Sequence, residues 1–137
     1  MNRLYLWLAI TLALVSLGSG FLSAQEPLKS GKVLQRTELK SAPGTEAILV
    51  LRSIPPGGES GKHTQSGNEI VYVLDGSIVL ERQGKPPATL QSGEAFTTSA
   101  GEVHNVKNAS ASEPAKALAF YVAKKGTRPE DLSVPAK

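Results

Sequence analysis

Between residues 33 and 122 the apolar residues come in short runs broken by Gly, Pro, Asn and Ser, and no run keeps a helical period for long. No segment is long enough to bury a helical stripe, whereas each run suits a strand, whose side chains alternate between two faces. The pattern predicts an all-β fold. Strands are expected over Val33 to Leu39, Glu46 to Ile54, Glu69 to Leu74, Ser77 to Arg82, Ala88 to Leu90, Glu94 to Thr98, Val103 to Lys107 and Lys116 to Val122. Asp75-Gly76 sits between two β-rich runs and predicts a tight hairpin, because both residues tolerate positive φ. Gly84-Lys85-Pro86-Pro87 marks the next turn.

AILVL, Ala47 to Leu51, and ALAFYVA, Ala117 to Ala123, are apolar at every position, so these strands are expected to be covered on both faces by two packed sheets. Glu69 opens the apolar run EIVYVL, and a carboxylate at the head of a buried strand needs a partner. At 137 residues the chain holds one ordinary domain. Its first 24 residues carry Arg3, an uncharged apolar run from Leu4 to Leu17 and then the small residues Gly18, Ser19, Gly20, Ser23 and Ala24. This is expected to be a secretory signal cleaved after Ala24, leaving a periplasmic or secreted protein; the alternative is a retained membrane anchor. The barrel is expected over residues 25–125. The polar segment 126–137 is expected to be poorly ordered or draped on the surface.

Composition excludes several classes of function. With no cysteine there are no disulfides, thiolate ligands, cysteine nucleophile or lipid-modified cysteine. The formal charge is +3, or +2 once Arg3 is removed, and no basic cluster exceeds Lys124-Lys125, so nucleic-acid binding is not expected. No membrane partner is expected after signal cleavage. GGESGKHT looks like a phosphate-binding loop, but Pro56 stands at the first glycine position, His63 replaces the Ser/Thr, and no helix follows.

His63 and Gln65 are two apart and so can point into one cavity, with Glu69 beginning the next strand after the turn Ser66-Gly67-Asn68. His104, the other histidine, follows the turn Ser99-Ala100-Gly101. Two imidazoles and a carboxylate on rigid strands make a facial set for a divalent metal, with positions left for water or substrate. The bland alternative is that both histidines are hydrogen-bonded barrel residues and Glu69 pairs with Lys62 or Arg52.

These residues fall on a spacing that resembles the two motifs of the cupins. Gly57, His63, Gln65, Glu69 and Gly76 keep the first motif, with Gln65 where a second histidine is usual. Gly93, Gly101, His104 and Asn108 keep the second, with Ser99 in place of a proline. The resemblance implies a double-stranded β-helix, or jelly roll, with one divalent metal (Fe, Mn, Ni or Zn) held by His63, Glu69 and His104. It also explains Asn108 better than the glycosylation sequon Asn108-Ala109-Ser110 does. Gln65 has three readings: a hydrogen-bond donor behind the metal ligands, a weak ligand through its amide oxygen, or a relic in a barrel that has lost its metal.

The expected function is a metal-dependent dioxygenase or other oxidoreductase acting on a small organic substrate. Glu69 and Gln65 would be its working residues, and Val71, Val73 and Phe96 would line the barrel. Alternatives are a non-catalytic periplasmic small-molecule-binding or accessory protein, and a metal-assisted isomerase or lyase acting on a carbohydrate acid. By analogy with small cupins, a homodimer through edge strands is expected.

Overall fold

A computed structural model describes residues 31–128 and 131–136. The signal segment expected over residues 1–24, and with it the choice between cleavage and anchoring, lies outside the described residues. Ten antiparallel strands form two five-stranded sheets, and the described residues contain no α-helix. The first sheet has the order β1 (Lys32–Glu38), β2 (Thr45–Ile54), β9 (Ala115–Lys124), β4 (Glu69–Asp75), β7 (Ala95–Thr98). The second runs β10 (Ser133–Pro135), β3 (His63–Gln65), β8 (His104–Asn108), β5 (Ser77–Arg82), β6 (Ala88–Gln91). This is the jelly roll expected from the sequence.

Period-two alternation builds the interior. β2 turns Ile48, Val50 and Ile54 inward, β4 turns Val71 and Val73, and β5 turns Ile78 and Leu80, all buried in one core with Leu90 and Phe96. On β9 the inward positions are Ala115, Ala117, Ala119 and Tyr121. Three alanines in succession leave space that Val or Ile would fill, and Ala117 and Ala119 indeed form part of a cavity wall.

Three expectations are corrected. Asp75-Gly76 is not a two-residue hairpin: β4 pairs with β7 and β9, while β5 pairs with β6 and β8, so the chain changes sheets at Gly76. Glycine is still required there, since its φ is +73° and an added Cβ would lie 3.1 Å from the Pro114 carbonyl oxygen. The C-terminal segment supplies β10, which pairs with β3, and Leu132 beside it is only 1% exposed, so this segment is part of the barrel wall. Finally, among the described residues only one face of the first sheet is covered. On the other face, Leu49, Phe120 and Ile70 form one row across β2, β9 and β4, and Leu51, Leu118 and Tyr72 form a second. Ile70, Tyr72 and Phe120 stay 37–47% exposed, because the second sheet packs on the inner face alone.

Candidate functional site

The four sequence-predicted residues come together at one end of the barrel. β3 and β8 are neighbours with His63 directly opposite His104, which brings the two rings to a centroid separation of 4.3 Å. Glu69, at the head of β4, lies opposite Thr98 of β7 and Tyr121 of β9. His63, Gln65 and Glu69 line a cavity of about 400 Å³, and His104 is packed behind them with its side chain fully buried.

Both imidazoles are oriented by the backbone. His63 Nδ1 meets the Gly61 carbonyl at 2.8 Å and His104 Nδ1 meets the Glu102 carbonyl at 2.9 Å. A carbonyl only accepts, so each Nδ1 carries a hydrogen, and in a neutral ring the Nε2 lone pair is left available. An imidazole that donates its other N–H to a fixed carbonyl is the usual arrangement behind a metal-binding histidine.

The Glu69 Oε2 atom gathers donors from three directions. It accepts from Thr98 Oγ1 at 3.1 Å and from Gln65 Nε2 at 3.3 Å, and it lies 3.4 Å from His104 Nε2. That last contact is an ion pair without hydrogen-bond geometry. Burial alone would raise the Glu69 carboxyl above its ordinary value, but His104, the Tyr121 hydroxyl and the Arg52 charge together hold it below. For His104, burial opposes the imidazolium, yet Glu69 and the Glu102 carbonyl raise it above the ordinary imidazole value. His63 moves the other way: burial, with the charges of His104 and Arg52, outweighs its bond to Gly61 and keeps it neutral. Glu69 is thus partnered chiefly by His104, with Arg52 acting through its field rather than as the direct partner.

Gln65 stands inside this group. Its Nε2 lies 3.0 Å from His63 Nε2, 3.3 Å from Glu69 Oε2 and 3.2 Å from Ser133 Oγ, while its Oε1 is buried without a hydrogen-bond partner. Leaving such an acceptor unmatched costs about 1–3 kcal/mol. Among the described residues no three His, Asp or Glu side chains form a ready-made metal cage; the amide nitrogen contacts both His63 and Glu69. The donor chemistry nevertheless fits a divalent cation, with two imidazole nitrogens, a carboxylate and, beside them, an unmatched amide oxygen.

Sequence reasoning named Arg52 only as a direct partner of Glu69, and it missed Tyr121, Thr98 and Ser133 as neighbours of the site. Arg52 Nε and Nη2 donate to the Tyr121 hydroxyl at 3.1 and 2.8 Å, and Tyr121 stands directly opposite Glu69 in the pairing of β9 with β4. Burial and the Glu69 charge push the Tyr121 phenol far up, so it stays neutral and able to donate. Alternation along ALAFYVA was the available signal, because it puts Tyr121 on the face of Ala117 and Ala119. Of the apolar residues expected to line the barrel, Val71 does so. Val73 and Phe96 instead belong to the packed core, since the cavity occupies the Glu69 end of β4. Asn108 is 8% exposed and its amide donates to the carbonyls of Ile54, Pro55 and Glu113, which makes it a loop anchor.

Residues 50–121 match the cupin domain family. The chain belongs to the cupins. Over 70 residues it is 40% identical to the beta-alanine degradation protein BauB of Pseudomonas aeruginosa, covering 50% of this chain and 74% of that protein. Among solved structures, this cupin is similar to a Klebsiella pneumoniae protein with a double-stranded β-helix domain (TM-score 0.57, 21% identity, 77% of this chain and 84% of the other). It is also similar to the TT1209 protein of Thermus thermophilus (TM-score 0.55, 28% identity, 75% and 90% covered).

Proposed function

We propose that this protein is a divalent-metal-dependent cupin that acts on a small organic anion in its barrel, with oxidoreductase chemistry of the dioxygenase kind as the leading assignment. The observation that carries the metal reading is the pair of backbone-anchored histidines: with each Nδ1 hydrogen fixed by Gly61 or Glu102, an ion would bind through Nε2, in place of the Gln65 amide at His63 and of the proton at His104. His63, His104 and Glu69 would hold the ion. When bound, it would polarise a substrate oxygen and, if redox-active, carry the oxidation. The chain's own residues do the rest. Apolar Ile54, Val71 and Val106 exclude water, and Arg52 and Lys62, which line the same cavity, favour a ligand bearing an acid group. Export to the periplasm or beyond is part of the proposal and rests on the amino-terminal pattern alone.

Melting the protein with and without Mn, Fe(II), Ni and Zn tests this. A metal present at a hundred times its Kd should stabilise the fold by about 2.7 kcal/mol, which is on the order of 10 °C in Tm for a domain of this size. Indifference to all four metals would overturn the proposal. A second reading, a non-catalytic binding barrel, is favoured by the way the Gln65 amide already meets His63 and Glu69 without an ion. It expects stabilisation by small organic acids in the presence of chelator.

The uncovered apolar rows on the first sheet support a homodimer. The edge strand β1, KVLQRTE, is charged and exposed, which discourages edge pairing. The flat rows through Phe120 and Leu118 can meet their own copies across a two-fold axis. Light scattering should give twice the chain mass. Phe120→Asp should give a monomer that still responds to metal.

A further inference from the structure

Gln65 Oε1 is one of three buried side-chain polar atoms without a hydrogen-bond partner among the described residues, and it lies at the proposed metal position. Gln65 is 2% exposed, its Oε1 has no partner, and its Nε2 faces three acceptors with two hydrogens to give. His63 cannot donate back from a neutral ring, because its hydrogen is on Nδ1 against Gly61. The amide nitrogen therefore does for His63 and Glu69, with two N–H groups, what a cation would do with its charge.

We propose that Gln65 is a two-state amide that selects the metal. Without an ion its nitrogen points inward, and with one it makes a half-turn so that Oε1 becomes an oxygen ligand beside His63, Glu69 and His104. This rests on the metal-binding reading above. The terminal torsion of glutamine is broad and roughly two-fold, so the turn needs no backbone movement. It leaves one end of the amide unmatched in both states, nitrogen in place of oxygen, so that cost largely cancels and the ion decides the orientation. Ser133 assists, since its hydroxyl accepts from Nε2 now and can rotate to donate to Oε1 after the turn. A neutral oxygen where cupins usually have imidazole weakens the preference for Ni and Zn relative to ions that favour oxygen, such as Mn.

Calorimetric titration of the full chain with Mn and Ni, on wild type, Gln65→His and Gln65→Leu, tests selection. Gln65→His is expected to raise Ni affinity at least tenfold more than Mn affinity, and Gln65→Leu to lose Mn affinity at least tenfold. Nitrogen-15 NMR of the wild-type Gln65 side chain tests the turn itself, with Zn as the diamagnetic ion. Its NH2 signals should lose their coupling to His63 Nε2 on loading. This measurement stands if Gln65→Leu does not fold. Mn affinity unchanged in Gln65→Leu, equal gains for both metals in Gln65→His, or an NH2 group that stays bonded to His63 would overturn the inference while leaving the metal site standing. A wild type and a Gln65→His variant that both ignore every metal would overturn the site as well.

Discussion

His104→Ala is expected to destabilise the metal-free protein by about 3–5 kcal/mol, the usual cost of stranding one member of a buried ion pair, and to abolish any metal response. The reason lies in Glu69, which is 4% exposed and keeps its charge only because His104, Tyr121 and Arg52 act on it together. Removing the imidazole takes away the nearest of these and leaves a carboxylate in an apolar barrel. The same pair fixes a pH dependence. His104 is raised above its ordinary value, so its contribution is present at lower pH and lost as pH rises through the raised value. Glu69 is lowered, so its contribution is present above the ordinary carboxylate range and lost as pH falls through the lowered value. Denaturant midpoints of metal-free wild type should therefore peak between the ordinary carboxylate and imidazole values, from pH about 4.5 to about 6.5, and this peak should flatten in His104→Ala. An unchanged peak would mean that the pair does not carry the charge assigned to it. Metal binding expels the His104 proton, so affinity should rise with pH over the range where stability declines.

How much of this was legible in the sequence depends on how far apart the partners lie. His63, Gln65, Glu69 and His104 were legible because their spacings match the cupin motifs, and the structure does bring them together. Asp75-Gly76 was legible as a turn but misleading as a hairpin, since local residues specify positive φ and not which sheet the next strand joins. Strand β10 was hidden because three residues carry no periodicity. Its partner β3 is nearly seventy positions away, as the Gln65–Ser133 contact shows with a separation of 68 residues. The uniform hydrophobicity of AILVL and ALAFYVA was read as two covered faces, but it equally fits one covered face and one surface awaiting a partner. The two inward alanines of β9 that hollow the cavity, Ala117 and Ala119, look in sequence like ordinary weak core positions.

Gly67 separates what a turn residue does from what a close backbone approach demands. In the sequence it reads as an ordinary member of the turn Ser66-Gly67-Asn68. In the structure its φ lies outside the left-handed region, so conformational freedom is not the requirement. A Cβ at this position would fall 2.0 Å from the Val122 carbonyl oxygen on β9, a contact that no side-chain adjustment can relieve. The turn is also tied down on three sides: Val122 N donates to the Asn68 carbonyl, Ala100 N to Asn68 Oδ1 and Gly101 N to the Gln65 carbonyl. Gly67→Ala must therefore push β9 away or drag β3 and β4 together, and each of those strands carries a residue of the site. The expected loss is about 3 kcal/mol, at the upper end for overpacking because the obstacle is backbone. Metal affinity should fall with it, since Gln65 and Glu69 flank the displaced turn. Gly84→Ala is the matched control. Gly84 has φ +73° and open space around its missing Cβ, so only the local strain of about 1–2 kcal/mol applies, with metal affinity unchanged. If Gly67→Ala proved no more costly than Gly84→Ala, the contact between this turn and β9 would not be what holds Gln65 and Glu69 in register.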